Sequence, residues 1–582
     1  MNLNPVLALF AFGGQLTHLN PVDVLILALY FGVVIFIGFY VKGSTNTSEE
    51  FFLAGREMSA WIAGLSFVSA NLGSLELMGW AGSAYQYGIL AMHWYWIGAI
   101  PAMLFLGIVM MPFYYISKTH SVPGYLQLRF GEGARGLAAI SFALMTILMS
   151  GVNMYAMAVV MQTVLGWNMT FSIWVGAATV AVYVMLGGLR SAIINEVLQF
   201  ILIWAGAALI PILGLIEAGG WTNLKANIAT NVGNSSYTHL WSTLGHFNGN
   251  PMGINWVGIV FGLGAIISFG YWTTDFLVVQ RVLSANNLRA AKMAPVIGAA
   301  FKMAVPLIVI LPGLICLGLM QNGHPLFHLV PADIAKGNPA LHSYDQVLPL
   351  MLIRYCGPGL LGLGITALVA GFMSGMAGNV SAFSTVWTYD IYGAYLNKKA
   401  SDKHYVFMGR LSTVVGMLVS IGTAYLVMNA ASIMDYVQAL FSFFIAPLFG
   451  TVILGMLWKR ATNWGGFFGL LAGTASSIGM FIYTSTGTAA HKAQALARIA
   501  LSPYAQPQAE NMFRALWSWL ICVFVTIAVS YMTKPKSDAE LNGLVYGATV
   551  IPHDGAVTLW QKPIFWACVV AVVFIGLNLI FF

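Results

Sequence analysis

Residues 61–95 read WIAGLSFVSANLGSLELMGWAGSAYQYGILAMHWY, an apolar run that holds Asn71, Gly73, Ser74 and Glu76 near its middle. The run is long enough to cross a bilayer, for which about 20 residues of helix suffice. Lipid offers no partners to freed backbone groups, so a Gly/Ser/Asn interruption at mid-depth persists only inside protein or beside a water-filled cavity. The stretch therefore predicts a broken membrane helix, and breaks of this kind mark solute sites in transporters.

Composition places the rest of the chain in the same class. Of 582 residues 59% are hydrophobic and only 7% charged, the signature of an all-α polytopic membrane protein. Stretches that pass the length criterion occur at 22–42, 59–82, 87–116, 136–164, 170–187, 192–215, 253–280, 293–320, 357–386, 405–430, 432–457, 464–484, 513–533 and 563–582, so about 14 transmembrane helices are expected. Residues 216–252 and 321–356 form the only long polar loops among the first ten core helices, and no separate soluble domain fits.

Cationic loops stay cytoplasmic. With the N-terminus outside, seven of the 25 Lys and Arg fall in or near outer loops or within a helix: Lys225, Lys302, Lys336, Arg354, Lys492, Arg498 and Arg514. The other 18 face the cytoplasm, so both termini are expected to be extracytoplasmic in a multi-pass protein of the plasma (inner) membrane. The loop bias accounts for the net charge of +7, and no nucleic-acid partner is expected. Cys316, Cys356, Cys522 and Cys568 lack metal or disulfide spacing and read as packing residues. The first 21 residues lack a basic start, which predicts that the first helix stays as an anchor.

An ionisable side chain inside a membrane helix costs at least about 2.5–3.5 kcal/mol on insertion scales, so each needs a reason. Glu76, Glu196, Asp275 and Lys302 qualify. Their functional reading is a polar pathway; the structural one is an ion pair, Glu76 with Lys302 or Asp275 with Lys302, and for Glu196, close to the Arg190 loop, an interfacial structural role. A second candidate break lies in AIISFGYWTTD (265–275), with Ser268, Gly270, Thr273 and Thr274 beside Tyr271 and Trp272. It comes five helices after the first. Matched breaks in two five-helix halves are the mark of an inverted repeat that holds solute at mid-membrane, whereas small residues that only let helices approach closely are the plainer alternative. The expectation is that 71–74 and 268–270 are unwound turns facing one cavity.

A channel would place like groups around a continuous pore, and these helices offer one asymmetric pocket. An enzyme is not expected: no HExxH, GxSxG or GxxxxGK[ST] segment occurs, and His93 has no partner at metal spacing and reads as a hydrogen-bonded helix residue.

Five segments in order carry a family resemblance: SVPGYLQLRF (121–130), YVMLGGLRS (183–191), Gln280-Arg281, SAFSTVWTYDIY (381–392) and ILGMLWKRAT (453–462). Over about 50–535 the chain resembles the sodium/solute symporter family, and within it the bacterial sodium/galactose (sodium/glucose) branch. The resemblance implies a 5+5 inverted-repeat core with two broken helices and alternating access. Its parts would be a leading helix in 1–50, a first repeat in 51–218, a second in 219–462, and three trailing helices in 463–582.

It also implies a sodium ion held by the carbonyls of Ser69, Leu72 and Gly371 and the hydroxyl of Ser374, hard oxygen ligands of the kind an unwound turn frees. Gly375 stands where the family generally has Ser or Thr, so the usual second hydroxyl is missing. Glu196 falls where the family places an acid near the ion's cytoplasmic exit; proton coupling through Glu76 or Glu196 stays open. Carried over by position, the solute site is Glu76, Tyr95, Ser268, Tyr271, Lys302 and Gln438, with Trp80, Trp94 and Met434 as gates. The carboxylate that the branch has at position 95 is here at 76, where it could accept paired hydrogen bonds from hydroxyls. A Glu76 neutralised by Lys302 suits a neutral sugar or polyol; a free Lys302 suits an anion. The prediction is a symporter that couples sodium entry to uptake of a small polar solute, sugar or polyol first. A proton-coupled carrier, or one for an organic anion, amino acid or vitamin-like solute, is the alternative. A monomer or weak oligomer in the lipid bilayer is expected.

Overall fold

A computed structural model describes residues 20–42, 47–73, 75–233, 235–319, 344–427, 432–552 and 557–582. Nearly all of this is helix, and among the described residues there is no strand beyond one isolated Met58–Ala285 bridge. The anchor reading of the N-terminal 21 residues lies almost wholly outside the described residues.

Among the described residues ten helices are long and apolar enough to cross a membrane, or up to thirteen when three bent pairs each count as one. The fourteen apolar stretches exceed this because 170–187 and 192–215 fall in one element, Met169–Glu217, of 49 residues. Gly188, with φ 52° and ψ −146°, interrupts it, in a conformation that favours glycine. A Cβ there would lie 2.5 Å from the Phe51 carbonyl oxygen. Gly188→Ala is expected to cost about 1–3 kcal/mol through strain alone, read as a lower melting temperature of the purified protein.

The first break is where the sequence puts it. Helix Ala60–Asn71 ends at Leu72, whose φ −76° and ψ 52° are not helical, and the chain resumes at Leu75 with a bend of 56°. Its second half opens with a wide turn at Leu75–Gly79 and continues through Trp80–Tyr87.

The second break is displaced. Ser268 and Gly270 remain helical, and the 49° bend falls at Asp275, between Gly258–Thr274 and Phe276–Leu283. Gly270 serves close packing, since a Cβ there would lie 2.6 Å from Ile445 Cγ2. The helix stops at Asp275 because its carboxylate caps the next helix at Leu277 N, 2.9 Å away. Thr273 and Thr274 hydroxyls bond back to the carbonyls of Phe269 and Gly270 at 2.5 and 2.7 Å. Asp275 is therefore a cap and not the partner of Lys302.

A third bend of 43° lies between Leu288–Lys302 and Pro306–Leu319. Pro306, which lacks an N–H and crowds the preceding turn, is its sequence signal, and Lys302 is the last residue before it. The polar stretch 216–252 carries helix Trp221–Val232, and 484–512 carries helix Ala489–Ile499.

Helix Leu360–Val386 is buried along nearly its whole length and packs on Met169–Ala207, Glu132–Leu165 and the leading helix Pro21–Val41. Buried Asp23 joins the last of these to it, with Oδ1 accepting from Gly359 N and Gly362 N, both at 2.7 Å. These donors are orphans of a helix start. The trailing helices Asn463–Ser485 and Pro507–Met532 pack mainly on each other, and Pro563–Ile580 packs on Leu288–Lys302. Cys316, Cys356 and Cys522 are buried free thiols, and Cys568 is exposed.

Candidate functional site

Two neighbouring constellations form where the first break meets the helices packed around it. In the upper one Glu76, Trp80, Trp94, Tyr95, Ser268, Tyr271, Lys302, Met434 and Gln438 line a single cavity, together with Asn71, Trp272 and Phe441. All nine of the residues assigned by position to solute or gates thus come together.

The break itself supplies the polar centre. Lys302 Nζ lies 3.1 Å from Glu76 Oε2 and also donates to Asn71 Oδ1. The Tyr95 hydroxyl donates to the same Glu76 oxygen. Asn71 Nδ2 donates to the Tyr271 hydroxyl at 2.8 Å. Lys302 is 1% exposed and sits 5.0 Å from the Tyr95 ring centre and 5.2 Å from that of Trp272, within cation–π range. The charge of Lys302 is thus balanced inside the wall, and the carboxylate at 76 is shared with the phenol at 95.

The rest of the lining is apolar with few polar atoms. Trp80 and Trp94 pack with ring centres 4.8 Å apart, and Tyr271 and Phe441 at 4.9 Å. Met434 covers Gly79, where a Cβ would lie 2.6 Å from its sulfur. Two buried polar atoms of this wall, Trp94 Nε1 and Gln438 Oε1, find no partner among the described residues. One is a donor and the other an acceptor. The enclosed space is about 40 Å³, against roughly 300–1,000 Å³ for sites that bury drug-sized ligands. A solute of sugar size does not fit this space as it stands.

The lower constellation joins helix Ala60–Asn71 to helix Leu360–Val386. Ser374 Oγ donates to the Ser69 carbonyl at 2.9 Å and stands 3.5 Å from Ser69 Oγ. The Leu72 carbonyl oxygen is 3.3 Å from a Cβ position on Gly371, and the Gly371 carbonyl oxygen is 3.2 Å from one on Gly73. Four groups named from the sequence therefore converge. Asn153, on helix Glu132–Leu165, is a fifth: its Oδ1 approaches Gly73 and Gly375 from the side. Sequence reading missed it, although a lone Asn in the apolar stretch ILMSGVNMYAM was a signal. Among the described residues no three His, Cys, Asp or Glu side chains gather as for a transition metal.

Glu196 stands apart from both. It is fully buried and paired with the equally buried Arg281 at 2.6 Å, and it accepts from Ser66, one helical turn before Ser69. Arg281 in turn donates to the Leu277 carbonyl at 2.9 Å and to Gln280 Oε1 at 3.0 Å. His93, a helix residue, bonds the Leu240 carbonyl at 2.8 Å and packs edge-on against Trp241.

An all-helical multi-pass protein whose helices break around a small polar centre has the architecture of a secondary transporter. The chain belongs to the sodium:solute symporter family, whose model matches residues 51–473, in agreement with the five segments quoted above. It is a transporter and not an enzyme. Among its relatives, sodium/glucose cotransporter 1 of Ovis aries is 29% identical over 551 residues, 90% of this chain and 81% of the relative. The sodium/glucose cotransporter of Vibrio parahaemolyticus is 25% identical over 460 residues, 78% of this chain and 84% of the relative. Sodium/myo-inositol cotransporter 2 of Sus scrofa is 31% identical over 469 residues, 78% and 69% respectively. A substrate-bound, outward-open Na+-coupled sialic acid symporter superposes with a TM-score of 0.71, covering 89% of this chain and 99% of that one at 19% identity. That last likeness is one of fold.

Proposed function

We propose that the protein is a sodium-coupled symporter for a small neutral polyhydroxylated solute, a sugar or polyol, working by alternating access in the plasma membrane with both termini extracytoplasmic. Its working core would be two five-helix repeats, 51–218 and 219–462. The observation that carries the solute class is the Lys302–Glu76 pair: with its charge balanced internally, the wall has no free cation to select an anion. Hydroxyls suit the two open polar atoms, since one hydroxyl can accept from Trp94 Nε1 and another donate to Gln438 Oε1. The aromatic rings offer flat faces to the apolar side of a pyranose or inositol ring. The glucose and myo-inositol cotransporters among the relatives support the same class.

Sodium is favoured over the proton by the donor set. Carbonyls and a hydroxyl meet between the first break and helix Leu360–Val386, as a hard cation requires. Glu76 and Glu196 each hold a cationic partner, and neither is the isolated carboxyl that a proton carrier would use.

The test is a thermal-shift screen of the purified protein against sugars, polyols, amino acids and carboxylates, with sodium or with choline. Binding to the folded state adds about 2.7 kcal/mol of stability at a ligand concentration 100 times Kd. A shift with a sugar or polyol that appears only with sodium is expected. A shift given solely by an anionic solute, or one indifferent to sodium, would displace the proposal. Within the same assay Gln438→Ala is expected to weaken solute affinity about tenfold, since it removes an acceptor left without other partners.

A further inference from the structure

The family resemblance implies a hydroxyl at position 375, where this chain has glycine. The space that a side chain at 375 would enter is filled from another helix. A Cβ on Gly375 would run into the Asn153 amide: Oδ1 is its nearest atom, with Cγ at 2.9 Å and Nδ2 at 3.1 Å. On the opposite side, a Cβ on Gly73 would lie 3.0 Å from the same Oδ1. Asn153 is 3% exposed. Its amide orientation is set locally, because Nδ2 donates to the Met149 carbonyl at 3.0 Å, and a carbonyl can only accept. The amide oxygen is thereby turned towards the break and the 371–375 turn.

We propose that Asn153 supplies the ligand oxygen that Gly375 cannot, so that the coupling cation is held by the carbonyls of Ser69, Leu72 and Gly371, the Ser374 hydroxyl and the Asn153 amide oxygen. This rests on the sodium site set out above. An amide carbonyl is as hard a donor as a hydroxyl and has two lone pairs, so it can serve a cation while keeping another contact. The two positions are exchanged as a unit: glycine at 375 makes room for the amide, and the amide restores the oxygen.

The exchange makes a reciprocal demand on variants. The full-length protein is titrated with sodium against choline at constant ionic strength, and the sodium concentration giving half the maximal thermal stabilisation is read. Asn153→Ala is expected to raise it about tenfold or more. Gly375→Ser alone is also expected to weaken sodium, because its side chain collides with Asn153. The double variant Asn153→Ala/Gly375→Ser, which moves the oxygen back onto the 371–375 turn, is expected to return to within about threefold of the parent.

Ser374→Ala separates the two levels of the argument. If Ser374→Ala weakens sodium while Asn153→Ala titrates like the parent, the role of Asn153 is overturned and the cation site stands. If both titrate like the parent, the site itself falls and the role with it. If Asn153→Ala alone is too unstable to titrate, the double variant decides: sodium affinity near the parent's supports the exchange, and a loss of about tenfold or more overturns it.

Discussion

Lys302→Met is expected to lower the stability of the protein by about 3–5 kcal/mol, the cost of leaving one member of a buried ion pair without its partner. Lys302 and Glu76 are 1% and 6% exposed, and they meet at 3.1 Å where the first break faces the third bend. Without the ammonium, the carboxylate keeps, among the described residues, the Tyr95 hydroxyl, and Asn71 Oδ1 loses the Lys302 donor. Adding Glu76→Leu should recover most of the loss, because two apolar residues of similar volume replace a buried pair at little net cost. The double variant should nevertheless give no solute-dependent thermal shift. Stability is read by denaturant unfolding in detergent across all four members of the cycle. A single Lys302→Met variant as stable as the parent would mean that the pair is not desolvated.

Glu196→Gln should have the second large effect, again about 3–5 kcal/mol, since it strands Arg281 where no water reaches it. The consequence reaches beyond stability because of what the pair connects. Glu196 lies on helix Met169–Ala207, Arg281 on Phe276–Leu283 just past the second break, and Ser66 on Ala60–Asn71 just before the first. The pair thus fastens the Ser66-bearing half of the first broken helix and the Arg281-bearing half of the second to one long helix. Loosening it should favour opening between these segments. A cysteine placed at Ser66, buried in the parent, should react faster with a membrane-impermeant maleimide in the Glu196→Gln background, with Arg281→Lys giving a smaller increase because the charge survives without the two-pronged geometry. Equal labelling rates in all three backgrounds would show that the pair does not hold these segments together.

The first break was legible because Asn71, Gly73 and Ser74 are adjacent in sequence, and lipid penalises their backbone wherever the surrounding fold lies. The second was misplaced for an equally physical reason. Ser268 and Gly270 look like helix breakers, but Gly270 is small to admit Ile445, a contact across 175 positions that no local reading contains. The carboxylate that ends the helix, Asp275, reads instead as a buried charge in search of a cation, and Lys302 was an equally good guess for its partner. The third bend went unread inside the stretch 293–320, although Pro306 there disfavours a straight helix. Of the residues lining the cavity, Asn71, Glu76, Ser268, Tyr271, Trp272 and Lys302 stood out as breaks or buried charges, whereas Trp80, Trp94, Tyr95, Met434 and Gln438 were reached through family resemblance, because the lining is drawn from positions 71 to 441 and shares no spacing.

By itself the sequence determined that this is a many-helix membrane protein, that a helix breaks at 71–74, and that buried charges need partners. Each of these follows from residue-level transfer between water, lipid and protein, which acts wherever the residue ends up. Only the tertiary structure decided which partners meet: Lys302 with Glu76, Glu196 with Arg281, Asn153 with the space above Gly375. Those choices depend on how helices distant in the chain pack side by side, where a difference of one methyl group in the approach decides which oxygen occupies a site.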